Sequence, residues 1–459
     1  MTTRRSLIVD LFAGAGGASL GIALALGRAP DIAINHSPRA IRQHAANHPG
    51  TLHMQTDVWE VSPRHACAGQ TVALLWASPD CRHFSRAKGG KPVSKRVRSL
   101  AWVVCKWAAE VAPTVICLEN VSEFQTWGPL GADGQPDPAR AGDTFRRFIA
   151  RLRGLGYAVE WRTLVAADFG APTIRKRLFL IARRDGRPIV WPQPTHADAW
   201  NPAASCIDWT IPCPSIFDRA RPLADATCRR IAAGLVRFVL NGKPFIVEID
   251  NRSNGLRAVR DPDRPLSTIT RENRHALVTA FLSKYFSSSD GRQSHGVDLR
   301  EPMATVTAID HHSLVAAHLV QTGYGERAGQ APRAMSLQRP LGTVVGGACK
   351  HALVAAFLTK YYGEGSTAQS LDEPMHTIVQ KARFGLVTVP IAGQDYVLAD
   401  IGLRMLEPRE LAAAQGFPSD YQLHGTKAEQ IAGIGNSVCP PVAQAIISAN
   451  LPRQKVKAA

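Results

Sequence analysis

Apolar residues along the first 190 positions fall into short runs, each closed by a turn or by polar residues. Leu7 to Phe12, Asp31 to Asn35, Val72 to Ala77, Val115 to Leu118 and Leu178 to Ala182 are rich in branched side chains and show no strict polar alternation. Unbroken apolar runs of this length predict strands of a parallel sheet covered on both faces. After the first run, Ala13-Gly14-Ala15-Gly16-Gly17 predicts a turn, and Ala18 to Leu26 predicts a helix of small residues. Arg4-Arg5 ahead of this stretch is similar to the start of a leader peptide. Asp10 inside it and the glycines after it fit strand, turn and helix better. Near the other end, Pro408 to Gln415 and Pro441 to Asn450 predict helices.

The pattern changes between about Trp191 and Asp395. Trp191-Pro192-Gln193-Pro194-Thr195-His196 reads as a linker. A repeat follows, marked by Pro265-Leu266-Ser267-Thr268-Ile269, Pro302-Met303-Ala304-Thr305-Val306, Pro340-Leu341-Gly342-Thr343-Val344 and Pro374-Met375-His376-Thr377-Ile378. An apolar pair follows each unit: Leu277-Val278, Leu314-Val315, Leu353-Val354 and Leu386-Val387. Branched and aromatic residues between Gly, Pro and Ser clusters predict short strands and hairpins. The expected organisation is a core of residues 1–190, an insert of 191–395 and a closing core segment of 396–459.

Charge narrows the class of partner. Lys and Arg number 54 against 37 Asp and Glu, a formal charge of +17, which suggests a polyanion, nucleic acid before membrane. The nine cysteines are scattered with no CxxC pair, which argues against a disulfide framework or a zinc ribbon and fits a reducing cytoplasm. The fifteen histidines read as dispersed, and no metal site is expected. No apolar stretch reaches the roughly 18 residues of a membrane span, so no membrane partner is expected.

Candidate chemistry gathers at the strand ends. The glycine turn suits close approach of a ligand to the backbone. Ser19 breaks the GxGxxG dinucleotide fingerprint, and Asn35 stands where a nicotinamide site has Asp or Glu, so a dehydrogenase is disfavoured. Cys81 follows a predicted strand and heads a stretch holding Arg82, Arg86, Lys88, Lys91, Lys95, Arg96 and Arg98 with no acid, making it a candidate nucleophile toward a nucleic acid. Glu119 at the next strand end is a general acid or base candidate. Arg175 and Arg177, two apart, share a face of an extended chain and could hold a base edge, a phosphate or the carboxyl itself.

Taken in order, these residues resemble the cytosine-C5 DNA methyltransferase family of phage and bacterial type. Asp10-Leu11-Phe12-Ala13-Gly14-Ala15-Gly16-Gly17 is similar to its S-adenosylmethionine loop, Pro79-Asp80-Cys81 with Phe84-Ser85 to its catalytic cysteine motif, and Glu119-Asn120-Val121 to its glutamate motif. Arg175-Lys176-Arg177 is similar to its arginine motif. Pro408-Arg409-Glu410 with Gln415-Gly416-Phe417-Pro418, and Gly435-Asn436-Ser437-Val438 with Pro440-Pro441, are similar to its last two motifs.

The resemblance implies an α/β, doubly wound, Rossmann-like methyltransferase core interrupted by a β-rich, repeat-containing target recognition domain. It implies S-adenosyl-L-methionine as cofactor, held by Asp10, Phe12, Gly14, Gly16, Gly17, Asn35, Asp57, Pro79, Asn436, Ser437 and Val438. It implies catalysis by Cys81, Glu119, Asn120, Arg175 and Arg177 on a cytosine flipped out of duplex DNA. The strand would meet Arg82, Ser85, Arg86, Lys88 and Lys91. Basic insert residues such as Arg257, Arg271, Arg274, Lys284 and Lys381 would add DNA contacts. A cytoplasmic monomer is expected, with a cognate restriction endonuclease as a candidate partner. The alternatives are an RNA cytosine-C5 enzyme on the same scaffold and a catalytically silent DNA-binding regulator. Asp80 before the cysteine, Arg82 after it, Thr173 and Asn35 depart from the family pattern.

Overall fold

The computed structural model describes residues 5–80, 99–131, 134–208 and 404–452, isolated positions within 210–221, and the backbone of strands between 246 and 403. The first strand, β1 (Leu7–Leu11), runs into helix α1 (Gly17–Leu26), as the apolar run and the glycine turn predict. Then follow β2 (Ile32–Ile34), α2 (Pro38–Asn47), β3 (Leu52–Met54), α3 (Pro63–Ala66), β4 (Val72–Ala77), α4 (Trp102–Glu110), β5 (Val115–Asn120), α5 (Asp143–Gly154), β6 (Ala158–Val165) and β7 (Lys176–Arg183). The chain closes with α6 (Pro408–Ala414), α7 (Lys427–Asn436) and α8 (Pro440–Asn450).

The seven strands form one sheet in the order β3-β2-β1-β4-β5-β7-β6. The pairings from β3 through to β5 are parallel as expected, but the expectation of a parallel strand at Leu178–Ala182 is corrected, since β7 runs antiparallel to both β5 and β6. Strand order reverses between β1 and β4, and the carboxyl ends there form the crevice where open α/β sheets place ligands. Reversal of β7 has a consequence for the site. Its first residues lie beside the last residues of β5, with Glu119 opposite Phe179 and Asn120 opposite Leu178. Arg175 and Arg177 therefore reach the same sheet edge as Glu119.

Both sheet faces are covered, which explains the unbroken apolar runs. Ile8, Leu74, Trp76, Cys117 and Ile181 pack on one face with Ile22 of α1 and with Val442, Ala443, Ile446 and Ile447 of α8. Val9, Leu75, Ile116 and Leu180 pack on the other with Trp107 of α4 and Phe148 of α5. The chain's last helix thus completes the layer begun by its first. Lys427–Asn450 is apolar enough to span a membrane by composition. It is two helices broken at Ser437, and α8 is packed into this core.

A second, largely antiparallel sheet is built from strands between 246 and 405. Two repeat-equivalent strands, His312–Gln321 and His351–Lys360, pair with each other, Leu314 opposite Leu358 and Leu319 opposite Leu353. Phe281–Lys284 pairs with the same side of the pattern, Phe281 opposite Val315 and Leu282 opposite Leu314. Equivalent positions of neighbouring repeats are therefore joined in equivalent register. Strand Gln394–Met405 belongs to this sheet and runs across position 396.

Departure and return of the chain are clamped together. Arg404 makes a two-pronged ion pair with Glu410, Nη1 to Oε2 at 2.8 Å and Nη2 to Oε1 at 2.7 Å. The same Arg404 donates to the Asp208 carbonyl at 2.8 Å, and the Asp208 N–H donates to Glu410 Oε1 at 2.9 Å.

Candidate active site

The glycine turn is shaped by close neighbours. Gly16 has a φ of +89°, the left-handed region that favours glycine, and a Cβ there would lie 2.3 Å from the Tyr421 hydroxyl. A Cβ on Gly17 would lie 2.1 Å from the Val438 carbonyl oxygen and 2.3 Å from Ser437 Oγ. The Gly17 N–H donates to Ser437 Oγ at 3.1 Å. Ser437 and Val438 thus back the turn directly, while Asn436 ends α7 and is exposed. Gly14 is different: among the described residues, a Cβ there meets nothing closer than the Phe12 carbonyl at 3.9 Å. Phe12, half-buried, holds a φ of +61°, strain of a kind that concentrates at ligand sites.

Around this turn Asp10 is buried, and burial pushes its carboxyl up to about 7 against the opposing Ser19 hydrogen bond. Asn35 donates from Nδ2 to the Ala13 carbonyl at 3.4 Å and accepts the Ser37 N–H at 2.8 Å, so its amide braces the turn and the start of α2. Asp57 is half-buried and accepts the Trp59 N–H at 3.0 Å.

The second cluster surrounds Glu119. Its side chain is buried, and burial raises its carboxyl above the usual range while Arg177 and then Arg175 pull it back. Arg177 Nε stands 3.3 Å from Glu119 Oε1. Arg175 is buried and donates to the Gly435 carbonyl at 3.1 Å. Asn120 donates from Nδ2 to the Pro79 carbonyl at 3.1 Å and accepts the Val121 N–H at 2.9 Å. It ties the end of β5 to the segment that leads to Cys81. Cys81, Arg82, Ser85, Arg86, Lys88 and Lys91 lie outside the described residues, as do the side chains of the basic insert positions.

A small cavity opens between Glu119, Arg175, Arg177, Val438 and Cys439. Cys439 is not disposed to ionise: its thiol donates to Gln415 Oε1 at 2.9 Å and burial pushes it up to about 11. Burial raises Cys67 to about 11 and Cys105 and Cys117 to about 12, the behaviour of packed, unreactive thiols.

The structure thus groups two sets of sequence-predicted residues. Asp10, Phe12, Gly14, Gly16, Gly17, Ser437 and Val438 surround the glycine turn, and Glu119, Asn120, Arg175, Arg177 and Pro79 stand at the adjoining sheet edge. Sequence reasoning missed His44, His48, His53 and Tyr421 behind the turn, and Cys439 behind the arginines, where it meets Gln415 of a motif already singled out. The histidines read as dispersed, yet His44, His48 and His53 meet in space. Spacing by four, which puts two residues on one face of a helix, was the available signal for the first two.

Fold and site together define an α/β enzyme whose glycine turn at the switch point adjoins a buried carboxyl paired with an arginine. The family model for the C-5 cytosine-specific DNA methylase matches residues 7–211 and 347–451, more than half of the chain. The chain belongs to that family, and it is a DNA (cytosine-5)-methyltransferase dependent on S-adenosylmethionine. It is similar to the type II methyltransferase M.AgeI of Thalassovita gelatinovora, 25% identical over 453 residues, which cover 95% of this chain and 97% of that relative. The type II methyltransferase M.NaeI of Lentzea aerocolonigenes is 31% identical over 194 residues, 41% of this chain and 43% of its own. Among solved structures, a DNMT2 mutant of Spodoptera frugiperda aligns over 97% of this chain and 99% of its own with a TM-score of 0.50 and 13% identity, a likeness of fold.

Proposed function

We propose that the protein methylates cytosine within a specific duplex DNA sequence, with Cys81 as nucleophile and Glu119 as the acid at N3. The observation that carries this reading is the buried Glu119 held by Arg177 at 3.3 Å, at the edge where Asn120 secures Pro79.

Cytosine C5 is a poor nucleophile and needs activation. The Cys81 thiolate forms a bond to C6 while Glu119 protonates or hydrogen-bonds N3, which moves electron density to C5. Burial suits Glu119 to this role, because it raises the carboxyl and so favours the protonated, donating form. Arg177 limits that rise and holds the carboxyl in place. S-adenosylmethionine supplies the methyl group as a sulfonium electrophile. Loss of the C5 proton to a base then expels Cys81. The target atom is out of reach in a stacked duplex, so the base must leave the helix at a cost of a few kcal/mol.

The glycine turn fits the cofactor. Among the described residues its Gly14 face is open, its Gly16 and Gly17 faces are backed by Tyr421, Ser437 and Val438, and α1 starts with no side-chain cap. We assign 1–190 and 396–459 to the catalytic core and 191–395 to target recognition; the separate antiparallel sheet and its register-matched repeats support the division, and strand Gln394–Met405 of that sheet moves the return to the core to about Leu406. Arg82, Ser85, Arg86, Lys88 and Lys91 would close over the flipped nucleotide. The names of the type II relatives support a cognate restriction endonuclease as partner. The protein would work as a cytoplasmic monomer.

The test is trapping on duplex DNA carrying 5-fluorocytosine, whose fluorine blocks the final elimination. The wild-type chain should form a covalent adduct with cofactor present, and Cys81→Ser should form none. An adduct in the Cys81→Ser chain, or one formed on RNA and not on duplex DNA, overturns the reading. Bisulfite sequencing of DNA from expressing cells would identify the modified context.

A further inference from the structure

Behind the glycine turn runs a line of polar side chains that the mechanism does not use. Ser19 Oγ, on the first turns of α1, lies 2.6 Å from Asp10 Oδ2. His44 Nε2, on α2, lies 2.8 Å from Ser19 Oγ. His53 Nε2, on β3, lies 2.8 Å from His44 Nδ1. Asp10, Ser19 and His44 are buried, and His53 is half-buried. Four residues thus lead from the half-buried β3 edge to a carboxyl two positions before the strained Phe12.

We propose that His44 and Ser19 are positioning residues that hold the proton balance of Asp10, and that the charge on Asp10 sets how tightly the turn binds a cationic cofactor. The proposal rests on the reading that this turn holds S-adenosylmethionine.

The chain has two hydrogen-bond arrangements between Asp10 and His53. With Asp10 ionised, Ser19 donates to Asp10, His44 Nε2 donates to Ser19, and His53 Nε2 donates to His44 Nδ1. With Asp10 protonated, every bond reverses: Asp10 donates to Ser19, Ser19 to His44 Nε2, and His44 Nδ1 to His53 Nε2. Passing from the first to the second takes one proton from water at His53 Nδ1 and leaves one on Asp10. Both rings are neutral before and after. The Thr51 backbone favours a proton on the His53 ring, against the stronger effect of burial, and so supports the second arrangement.

Surrounding groups fit this role. Burial, then the rings of His48 and His53, push His44 down to about 2, so it relays a proton without storing charge. Burial brings Asp10 to about 7, inside the working range. From the elements packed around it, the titratable groups near Asp10 are His44 of α2, His48 just after α2, His53 of β3 and Tyr421 after α6. The Tyr421 hydroxyl donates to the Ala15 carbonyl of the turn, and the charge of Asp10 helps to push that phenol up. The His48 ring lies 4.6 Å from that of His44 and borders Gly16. Both 2.8 Å contacts engage the nitrogens of His44, which leaves it unsuited to hold a metal.

The experiment is calorimetric titration of the full chain from pH 5.5 to 8.5 with two ligands, the sulfonium S-adenosylmethionine and the neutral thioether S-adenosylhomocysteine. For the wild-type chain, S-adenosylmethionine should weaken about five- to tenfold toward acid while S-adenosylhomocysteine changes less than about twofold. Ser19→Ala and His44→Leu remove donors that favour the ionised carboxyl, so both should move the midpoint upward by a factor of about three in proton concentration. His44→Gln keeps a donor at the Nε2 position and should restore the wild-type midpoint. If His44→Leu does not fold, Ser19→Ala decides. Equal pH dependence for the two ligands, or variants that change affinity by the same factor at every pH, overturns the proposal and leaves the methyltransferase reading intact. A wild-type chain that binds neither ligand overturns both.

Discussion

The Gly17 backbone N–H and the Ser437 hydroxyl meet at 3.1 Å across 420 residues of sequence. Through this contact the chain's closing segment becomes one wall of its opening turn. Gly17→Ala would drive a methyl group into the Val438 carbonyl and should displace that wall. Cofactor affinity is expected to fall by more than tenfold, since overpacking a tight contact costs about 1–3 kcal/mol. Ser437→Ala removes one hydrogen bond worth about 1 kcal/mol and should be milder. Calorimetric titration with S-adenosylmethionine, alongside thermal melting, checks both.

Glu119 and Arg177 should be separable by pH. Glu119→Gln keeps the shape but cannot exchange a proton, and methyl transfer should drop by about 10²-fold or more with DNA binding retained. Arg177→Ala removes the nearest charge that lowers the Glu119 carboxyl. The acid form then persists to higher pH, so the alkaline limit of the rate profile should move upward while the maximum rate falls. A profile that moves toward acid would contradict this arrangement.

Glu410 holds both ends of the chain that bracket the second sheet. Glu410→Ala leaves a buried guanidinium at Arg404, and loss of one partner of a buried pair costs about 3–5 kcal/mol. Denaturant unfolding should show that loss. A change below about 1 kcal/mol would mean that the clamp is replaced by solvent.

Stability should also vary with pH in a defined direction. Asp10 is raised from 3.8 to about 7, so its contribution is full below pH 3.8 and is lost as pH rises through 7. His44 and His48 are lowered from 6.5 to about 2 and about 4, so theirs is full above pH 6.5 and is lost as pH falls. Between about pH 4 and 6.5 the unfolded chain gains two protons on the histidines and loses one from Asp10. The net of one proton makes these groups favour folding by about 1.4 kcal/mol per unit of rising pH. Asp10→Asn should steepen that dependence and His48→Gln should flatten it, as read from unfolding free energies across that range.

Much of this protein is determined by local sequence. Unbroken branched runs specify covered strands, because a sheet buried on both faces has no position for alternating polar residues. Glycines after β1 specify a turn, because Gly16 needs a left-handed backbone. The order of short motifs, from the glycine turn through Glu119-Asn120 to Gly435-Asn436-Ser437-Val438, is legible without coordinates and indicates the methyltransferase family.

Tertiary structure decided what those motifs touch. The reversal of β7 brings Arg177 to Glu119, and nothing in the residues of β7 states its direction, since apolar strands read alike both ways. Packing of α8 on α1 delivers Ser437 to Gly17, a contact too distant in sequence for any periodicity to show. Packing of α2 against α1 buried His44 and Asp10 together, through Ser19. Histidines that look dispersed along the chain became a connected line only because α2 and β3 fold behind the turn, where burial turns ordinary side chains into groups with shifted protons.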